Sequence, residues 1–240
     1  MPTLQEIRSH TFFQCEENLR LYGLYESVHR RYSKAITEFN RKTSSDYLTY
    51  PYFAVVSEMY HHASNRVMIV GQEPYTWGGE FGNGGEFNPL VSTNELCNLY
   101  DLFVNESSKS GAYWNYCSHL HDISHRGTAF FYFNSVLIGR CGGNGFVDND
   151  IIQPTILSEV IDIVQPSFIL FLCGYKYDHI IRRNITREIT FQQIDTDFSE
   201  KVIAKISGLH VPAIRTYHPG YLYRREDIRR ALEQIIFPFL

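Results

Sequence analysis

Four short apolar runs are the feature that most constrains how this chain can fold. They lie far apart in the sequence, at residues 67–70, 129–133, 168–172 and 211–216. Each run is largely continuous rather than alternating, which is typical of strands that are covered on both faces in a parallel sheet. The sequence therefore predicts a central, mostly parallel, four-stranded sheet.

Helical periodicity occupies much of the chain between these runs. The clearest case is residues 19–39, where apolar residues recur near helical spacing. Residues 187–206 are interpreted as an insertion, with an alternating strand followed by a short amphipathic helical segment. Further helices are predicted at residues 92–105, 154–164 and 227–236. Because strands and helices alternate, the predicted fold class is α/β.

The length and the even composition indicate one domain. A chain of 240 residues can bury a continuous core without splitting, and no linker or internal repeat divides it. We therefore expect a single domain over residues 1–240, with a helical region at residues 1–60. No run approaches the roughly 20 apolar residues of a membrane helix, so no membrane partner is expected.

Cysteine usage and charge limit the possible classes further. The five cysteines are scattered and include no CxxC pair, which favours reduced thiols in a cytoplasmic monomer over disulfides or a metal centre. The net charge of -4 argues against a protein that coats nucleic acid. Local arginine clusters can still contact phosphates or form solvated helix faces, and they lie at Arg182, Arg183 and Arg187 and at Arg224, Arg225, Arg229 and Arg230.

Polar residues follow three of the four apolar runs directly. They include the carboxylate of Glu73, the amide of Asn134 and the imidazole of His218. Ligands bind outside the carboxyl ends of parallel strands, so these groups are expected to converge on one cleft. Taken singly, each is equally consistent with a cap or a turn. Together they suit cleavage of a bond whose leaving group is stabilised as an anion.

Three motifs around these residues resemble those of the uracil-DNA glycosylase superfamily. GQEPYTWG resembles the family's GQDPYH, FFYFNSVLIGR is similar to its LLLN-x-VLTVR, and HPGYL resembles its HPSPL. The resemblance covers about residues 66–232. Glu73 stands where the family has aspartate, and Gly220 stands where it has serine. The resemblance implies a three-layer α/β/α fold.

The resemblance also implies an activity without cofactor or metal: hydrolysis of the N-glycosidic bond of uracil or a related damaged base in DNA. Such enzymes extrude the target nucleotide into a pocket. The implied base-binding roles are a reader of the base edge at Asn134, a barrier to the thymine methyl at Tyr75, a stacking ring at Phe87 and backbone amides at Gln72.

The remaining implied roles concern catalysis and DNA contact. Glu73 stabilises the cationic sugar and orients water, and His218 donates a hydrogen bond to O2 of the departing base. Leu222 enters the duplex as an apolar wedge. The implied contacts with the DNA backbone come from Gly220, Tyr221, Arg224 and Arg225.

Two other interpretations stay open on the sequence. A catalytically drifted protein with the same fold can serve as a DNA-binding or regulatory module, which the acidic net charge and Glu73 favour. An enzyme acting on a different lesion, such as hypoxanthine or a methylated base, is the other. The histidines of HLHDISH suit a single helical face poorly, and the glycine loops lack nucleotide-binding spacing, so no metal or nucleotide cofactor is predicted.

Overall fold

A computed structural model describes residues 2–42, 47–74, 77–78, 91–106, 109–141, 154–194 and 197–240. Contacts divide the chain into two compact units, each assembled from separate segments. The first unit comprises Met1–Ser57, Glu73–Ser107 and Val136–Pro154. The second comprises Glu58–Gln72, Ser108–Ser135 and Thr155–Leu240. The single domain stays a prediction.

Helices and strands alternate through the described residues, which confirms the predicted α/β class. The helices are α1 (Leu4–Ser9), α2 (Glu16–Lys42), α3 (Glu58–His62), α4 (Thr93–Glu106), α5 (Ala112–Ile123), α6 (Leu157–Val164), α7 (Asp178–Asn184), α8 (Pro219–Leu222) and α9 (Glu226–Ile236). The strands are β1 (Tyr47–Leu48), β2 (Asn65–Gly71), β3 (Thr128–Asn134), β4 (Arg140–Cys141), β5 (Phe168–Leu172), β6 (Thr190–Gln193), β7 (Ala204–Ser207) and β8 (Ala213–Thr216). Short 3-10 turns occur at Tyr175–Tyr177 and Phe237–Phe239.

The first unit is built around the long helix α2, as the periodicity at residues 19–39 predicts. One face of α2 is buried, and its members recur every three or four residues: Leu21, Tyr25, Val28, Tyr32 and Ile36. The Tyr25 hydroxyl donates to the carbonyl of Ala54 at 2.8 Å, so the helix is also held by polar contacts. In the same unit, β1 and β4 form an antiparallel pair.

The second unit carries the main sheet, whose strand order is β3-β2-β5-β8-β7-β6. The four predicted strands β3, β2, β5 and β8 are neighbours and run parallel. β7 and β6 extend the sheet in antiparallel fashion. The sheet is therefore six-stranded and mixed, not four-stranded. The alternating strand predicted within residues 187–206 is confirmed as β6. The helical segment predicted after it is wrong: no described residue there is helical, and Ala204–Ser207 pairs with both β6 and β8 as strand β7.

A buried arginine ties β8 to its surroundings. Arg215 lies within the core strand β8 and, although it is an arginine, it is 0% exposed. Its guanidinium donates to both carboxylate oxygens of Asp178, at 2.9 and 3.1 Å, and to the carbonyls of Lys201 and Glu200. The charge is therefore paired, and four of the five guanidinium N–H groups have acceptors, which offsets the cost of burial.

No helix in the described part of the chain combines the length and the apolar character needed to cross a bilayer.

Candidate active site at the carboxyl end of the sheet

Asn134 ends β3 and lies opposite Gly71, the last residue of β2. Its side chain is half-buried, and no other described residue forms a hydrogen bond with its amide. A Cβ added at Gly71 would lie 2.6 Å from Asn134 Oδ1 and 3.1 Å from the Tyr113 ring. Glycine at position 71 therefore makes room for the Asn134 amide, which can both donate and accept hydrogen bonds.

Gly71→Ala is expected to displace the Asn134 amide and to lower the free energy of unfolding by about 1–3 kcal/mol, since overpacking forces neighbours to move. Gly23→Ala is the matched control: Gly23 lies within α2 with nothing within 4 Å of the added Cβ. There, alanine should stabilise by about 0.5–1 kcal/mol. Urea unfolding of both variants measures the difference; equal stability changes would contradict the steric argument.

The side chains of Ser135 and Gln72 form hydrogen bonds that connect the ends of neighbouring strands near the Asn134 amide. Both the hydroxyl and the backbone N–H of Ser135 donate to the Gly71 carbonyl, each at 2.9 Å. Gln72 Nε2 donates to the carbonyl of Cys173 at 3.0 Å, which joins the end of β2 to the end of β5. The side chain of Gln72 is thus bound to the backbone of the protein itself. The role predicted for Gln72 concerns only its backbone amide.

His218 follows β8 and caps α8 with its ring. Nδ1 accepts a hydrogen bond from the backbone N–H of Gly220 at 3.1 Å. A ring nitrogen that accepts carries no proton, so the neutral imidazole bears its proton on Nε2. Burial lowers the pKa of His218, which favours this neutral form. The structure thus leaves an Nε2–H donor that no described residue engages.

The stability of the protein is expected to depend on pH through His218. Because burial lowers the pKa of folded His218 below its usual 6.5, the unfolded chain binds the proton first as the pH falls. The contribution of His218 to stability is therefore fully present above pH 6.5, and it declines as the pH falls from 6.5 to the lower pKa of the folded state. His218→Asn keeps a capping side chain that does not titrate in this range. Urea unfolding across pH should show the wild type losing stability relative to this variant; parallel curves would contradict the prediction.

Tyr113, near the start of α5, is a site residue that the motifs do not reveal. Its ring stacks on that of His218, with centroids 6.2 Å apart and planes 18° apart. The same ring borders Gly71 and therefore the region of the Asn134 amide. One tyrosine thus contacts both halves of the candidate site. Its neighbour Trp114 packs edge-on against it at 5.1 Å, which fixes the ring's orientation.

The other predicted catalytic and base-binding residues lie in the first unit or outside the described residues. Glu73 directly follows Gln72 in the chain, is half-buried and has one carboxylate oxygen shielded from solvent. After it, the chain passes so close to Gly139 that a Cβ there would lie 2.2 Å from the Pro74 carbonyl oxygen. Tyr75 and Phe87 lie outside the described residues.

The loop predicted to contact DNA has one buried and several accessible members. Leu222 is 0% exposed, because α8 turns its apolar side inward. A wedge at this position would first have to leave the core. Arg224 and Arg225 are exposed and Tyr221 is half-buried. A Cβ at Gly220 would lie 3.3 Å from His218 Nδ1, so the family's serine would press on the imidazole here.

The three histidines of HLHDISH have separate partners. His119 Nε2 lies 3.0 Å from a carboxylate oxygen of Glu233 on α9. The ring of His121 packs on Phe130, with centroids 4.7 Å apart, and the ring of His125 packs on Phe237 at 4.9 Å. Each imidazole is thus accounted for by a packing contact or a hydrogen bond within the second unit.

The second unit therefore brings the Asn134 amide, a neutral imidazole and a tyrosine ring to the same end of four parallel strands. Asn134 and His218 are predicted site residues, and Tyr113 joins them through packing. Such a set can read a polar planar group and stabilise negative charge on it. No protein-family model matches the chain, and no curated protein matches it either.

Proposed function

We propose that this protein is a DNA glycosylase that hydrolyses the N-glycosidic bond of uracil, or of a related damaged base, flipped out of DNA. The observation that carries the proposal is the placement of two polar groups at one end of the sheet, the side-chain amide of Asn134 and the Nε2–H of His218, with which no described residue forms a hydrogen bond. A small set of convergent polar groups at the carboxyl ends of parallel strands is typical of a ligand-binding site.

The proposed recognition step follows from hydrogen-bond chemistry. The Asn134 amide donates to O4 of uracil and accepts from N3–H, whereas cytosine presents the reverse pattern at that edge. His218 donates from Nε2 to O2 of the base. The imidazole acts as a neutral donor, consistent with the direction of its pKa shift.

The proposed chemical step breaks the bond between C1′ of the sugar and N1 of the base. The bonding electrons leave with the base as an anion, which the donors of Asn134 and His218 stabilise. The Glu73 carboxylate stabilises the cationic sugar and accepts a proton from the water whose oxygen bonds to C1′. The products are an abasic site and the base anion, which becomes the free base by taking up a proton from solvent while Glu73 gives its proton back to solvent. The three-layer α/β/α arrangement implied by the motifs is part of this proposal.

A second candidate function is a DNA-binding or regulatory module that has lost the chemistry. Glu73 in place of the family's aspartate and the complete burial of Leu222 favour it. In that case the exposed Arg224 and Arg225 supply phosphate contacts while the base pocket is not used.

Incubation with uracil-containing single- and double-stranded oligonucleotides separates the two functions. A glycosylase is expected to release free uracil and leave an alkali-labile site, and Glu73→Ala should abolish the release. Salt-dependent DNA binding without release of any base would identify the binding module. Release of hypoxanthine or a methylated base alone would keep the enzyme and change its substrate.

A further inference from the structure

Three tyrosine rings form a continuous aromatic surface beside the candidate site. Tyr175 opens the 3-10 turn after β5, Tyr217 follows β8, and Tyr221 lies on α8. The Tyr217 ring lies 4.4 Å from that of Tyr221 and 6.4 Å from that of Tyr175, measured between centroids. Tyr175 is 38% exposed and the other two are half-buried, so each ring keeps part of its surface open to solvent.

The backbone is built to hold this surface in place. Gly174, which precedes Tyr175, has a φ of 80°, a conformation that favours glycine. A Cβ there would lie 3.4 Å from the Tyr217 ring, so the Tyr217 ring packs directly over Gly174. The backbone N–H of Gly174 donates to the Thr216 carbonyl at 2.8 Å. The two turns that carry Tyr175 and Tyr217 are therefore fastened to each other.

Positive charge flanks the rings at both ends. The Lys201 ammonium lies 6.0 Å from the Tyr175 ring centroid. At the other end, Arg224 is exposed, and its Nε donates to the Gly220 carbonyl at 3.2 Å. Arg225 donates to the Tyr221 hydroxyl at 3.4 Å but is held by Asp227 at 2.7 Å. Lys201 and Arg224 are thus the cations best placed for phosphates.

We propose that this surface, the tyrosines at positions 175, 217 and 221 with Lys201 and Arg224, binds unpaired nucleotides of single-stranded DNA next to the base in the site. Open ring faces between cations suit stacked bases on a phosphate backbone. Bases inside a duplex already stack on one another and do not offer their faces. The inference rests on the proposed function only in assigning DNA as the ligand, and it names the preferred form of the substrate.

Fluorescence anisotropy with a thymidine oligomer of about 12 nucleotides, its duplex with deoxyadenosine and the matching RNA strand tests this inference. Tyr175→Ala and Tyr217→Ala should each weaken binding of the single strand about 5- to 100-fold, and more than binding of the duplex. Tyr175→Phe and Tyr217→Phe, which keep the rings, should bind like the wild type. Phe237→Ala removes a 47%-exposed ring outside the surface and should change nothing.

The oligomers contain no uracil, so binding is read separately from base release. Uracil release by the wild type together with unchanged binding by both alanine variants would overturn this inference and leave the proposed function standing. Weakened binding by those variants, together with no uracil release by the wild type, would overturn the proposed function and leave this inference standing. Tighter binding of the duplex or of the RNA strand would also overturn the inference. Circular dichroism of each variant confirms that a loss of binding is not a loss of fold.

Discussion

Replacing Asn134 with alanine is expected to slow base release by about 100- to 1,000-fold, the usual effect of removing one donor from a developing anion. The free energy of unfolding should change by less than about 0.5 kcal/mol, since no described residue bonds to this amide. Single-turnover release of uracil and urea unfolding measure the two effects on the same preparation.

Asn184→Ala is the matched control for that experiment. Asn184 is also an asparagine of the second unit, but it is 3% exposed and its amide donates to the carbonyl of Ile180 at 3.1 Å. Its removal should lower the free energy of unfolding by about 1–3 kcal/mol, because a buried acceptor loses its partner. An Asn134→Ala variant that loses stability and keeps full base release would contradict the assignment of Asn134 as the base reader.

Asp178→Ala is expected to lower the free energy of unfolding by about 3–5 kcal/mol, the largest stability effect that the described residues predict. The substitution leaves Arg215 buried with only the carbonyls of Lys201 and Glu200 as acceptors. Burial raises the pKa of Asp178 while Arg215 acts in the opposite direction, so the pair gains little from its own attraction. The loss comes mainly from stranding the guanidinium in the core.

Asp227→Ala breaks an ion pair of similar geometry on the surface. Asp227 lies 2.7 Å from Arg225, but the two side chains are 53% and 45% exposed. Little change in the free energy of unfolding is expected, because water and salt screen exposed charges. Urea unfolding of both variants compares the pairs directly. Equal changes in the free energy of unfolding for Asp178→Ala and Asp227→Ala would show that burial of Arg215 does not make its ion pair more important for stability.

The parts of the fold that could be predicted are those with a strong local pattern. Continuous apolar runs predict β2, β3, β5 and β8, and helical periodicity predicts α2 and α9. The helix predicted after β6 is wrong at its end because the four residues of β7 become a strand only through pairing with β6 and β8. α5 could not be predicted from periodicity, because only Tyr116, Cys117 and Leu120 of its sequence AYWNYCSHLHDI are buried.

The residues of the candidate site also fall into those that a local sequence pattern predicts and those that depend on tertiary packing. Asn134 and His218 could be predicted because each directly follows a recognisable strand, and parallel strands bring their ends to one edge. Tyr113 could not, because its contact with His218 depends on how α5 packs and not on any local pattern. The burial of Leu222 was hidden for a similar reason, since a four-residue helix shows no periodicity from which an inward face can be inferred.

The order of strands in the sheet has a consequence for how the chain reaches this structure. β2 pairs with β3 and with β5, so Val67 has one partner at Phe130 and another at Phe168. Both partners are synthesised long after β2, and closing such long loops delays productive pairing. Until β5 emerges, the apolar edge of β2 that β5 later pairs with stays available to other nascent chains. Renaturation should therefore be slow, and dilute solution and moderate temperature should raise its yield by disfavouring aggregation.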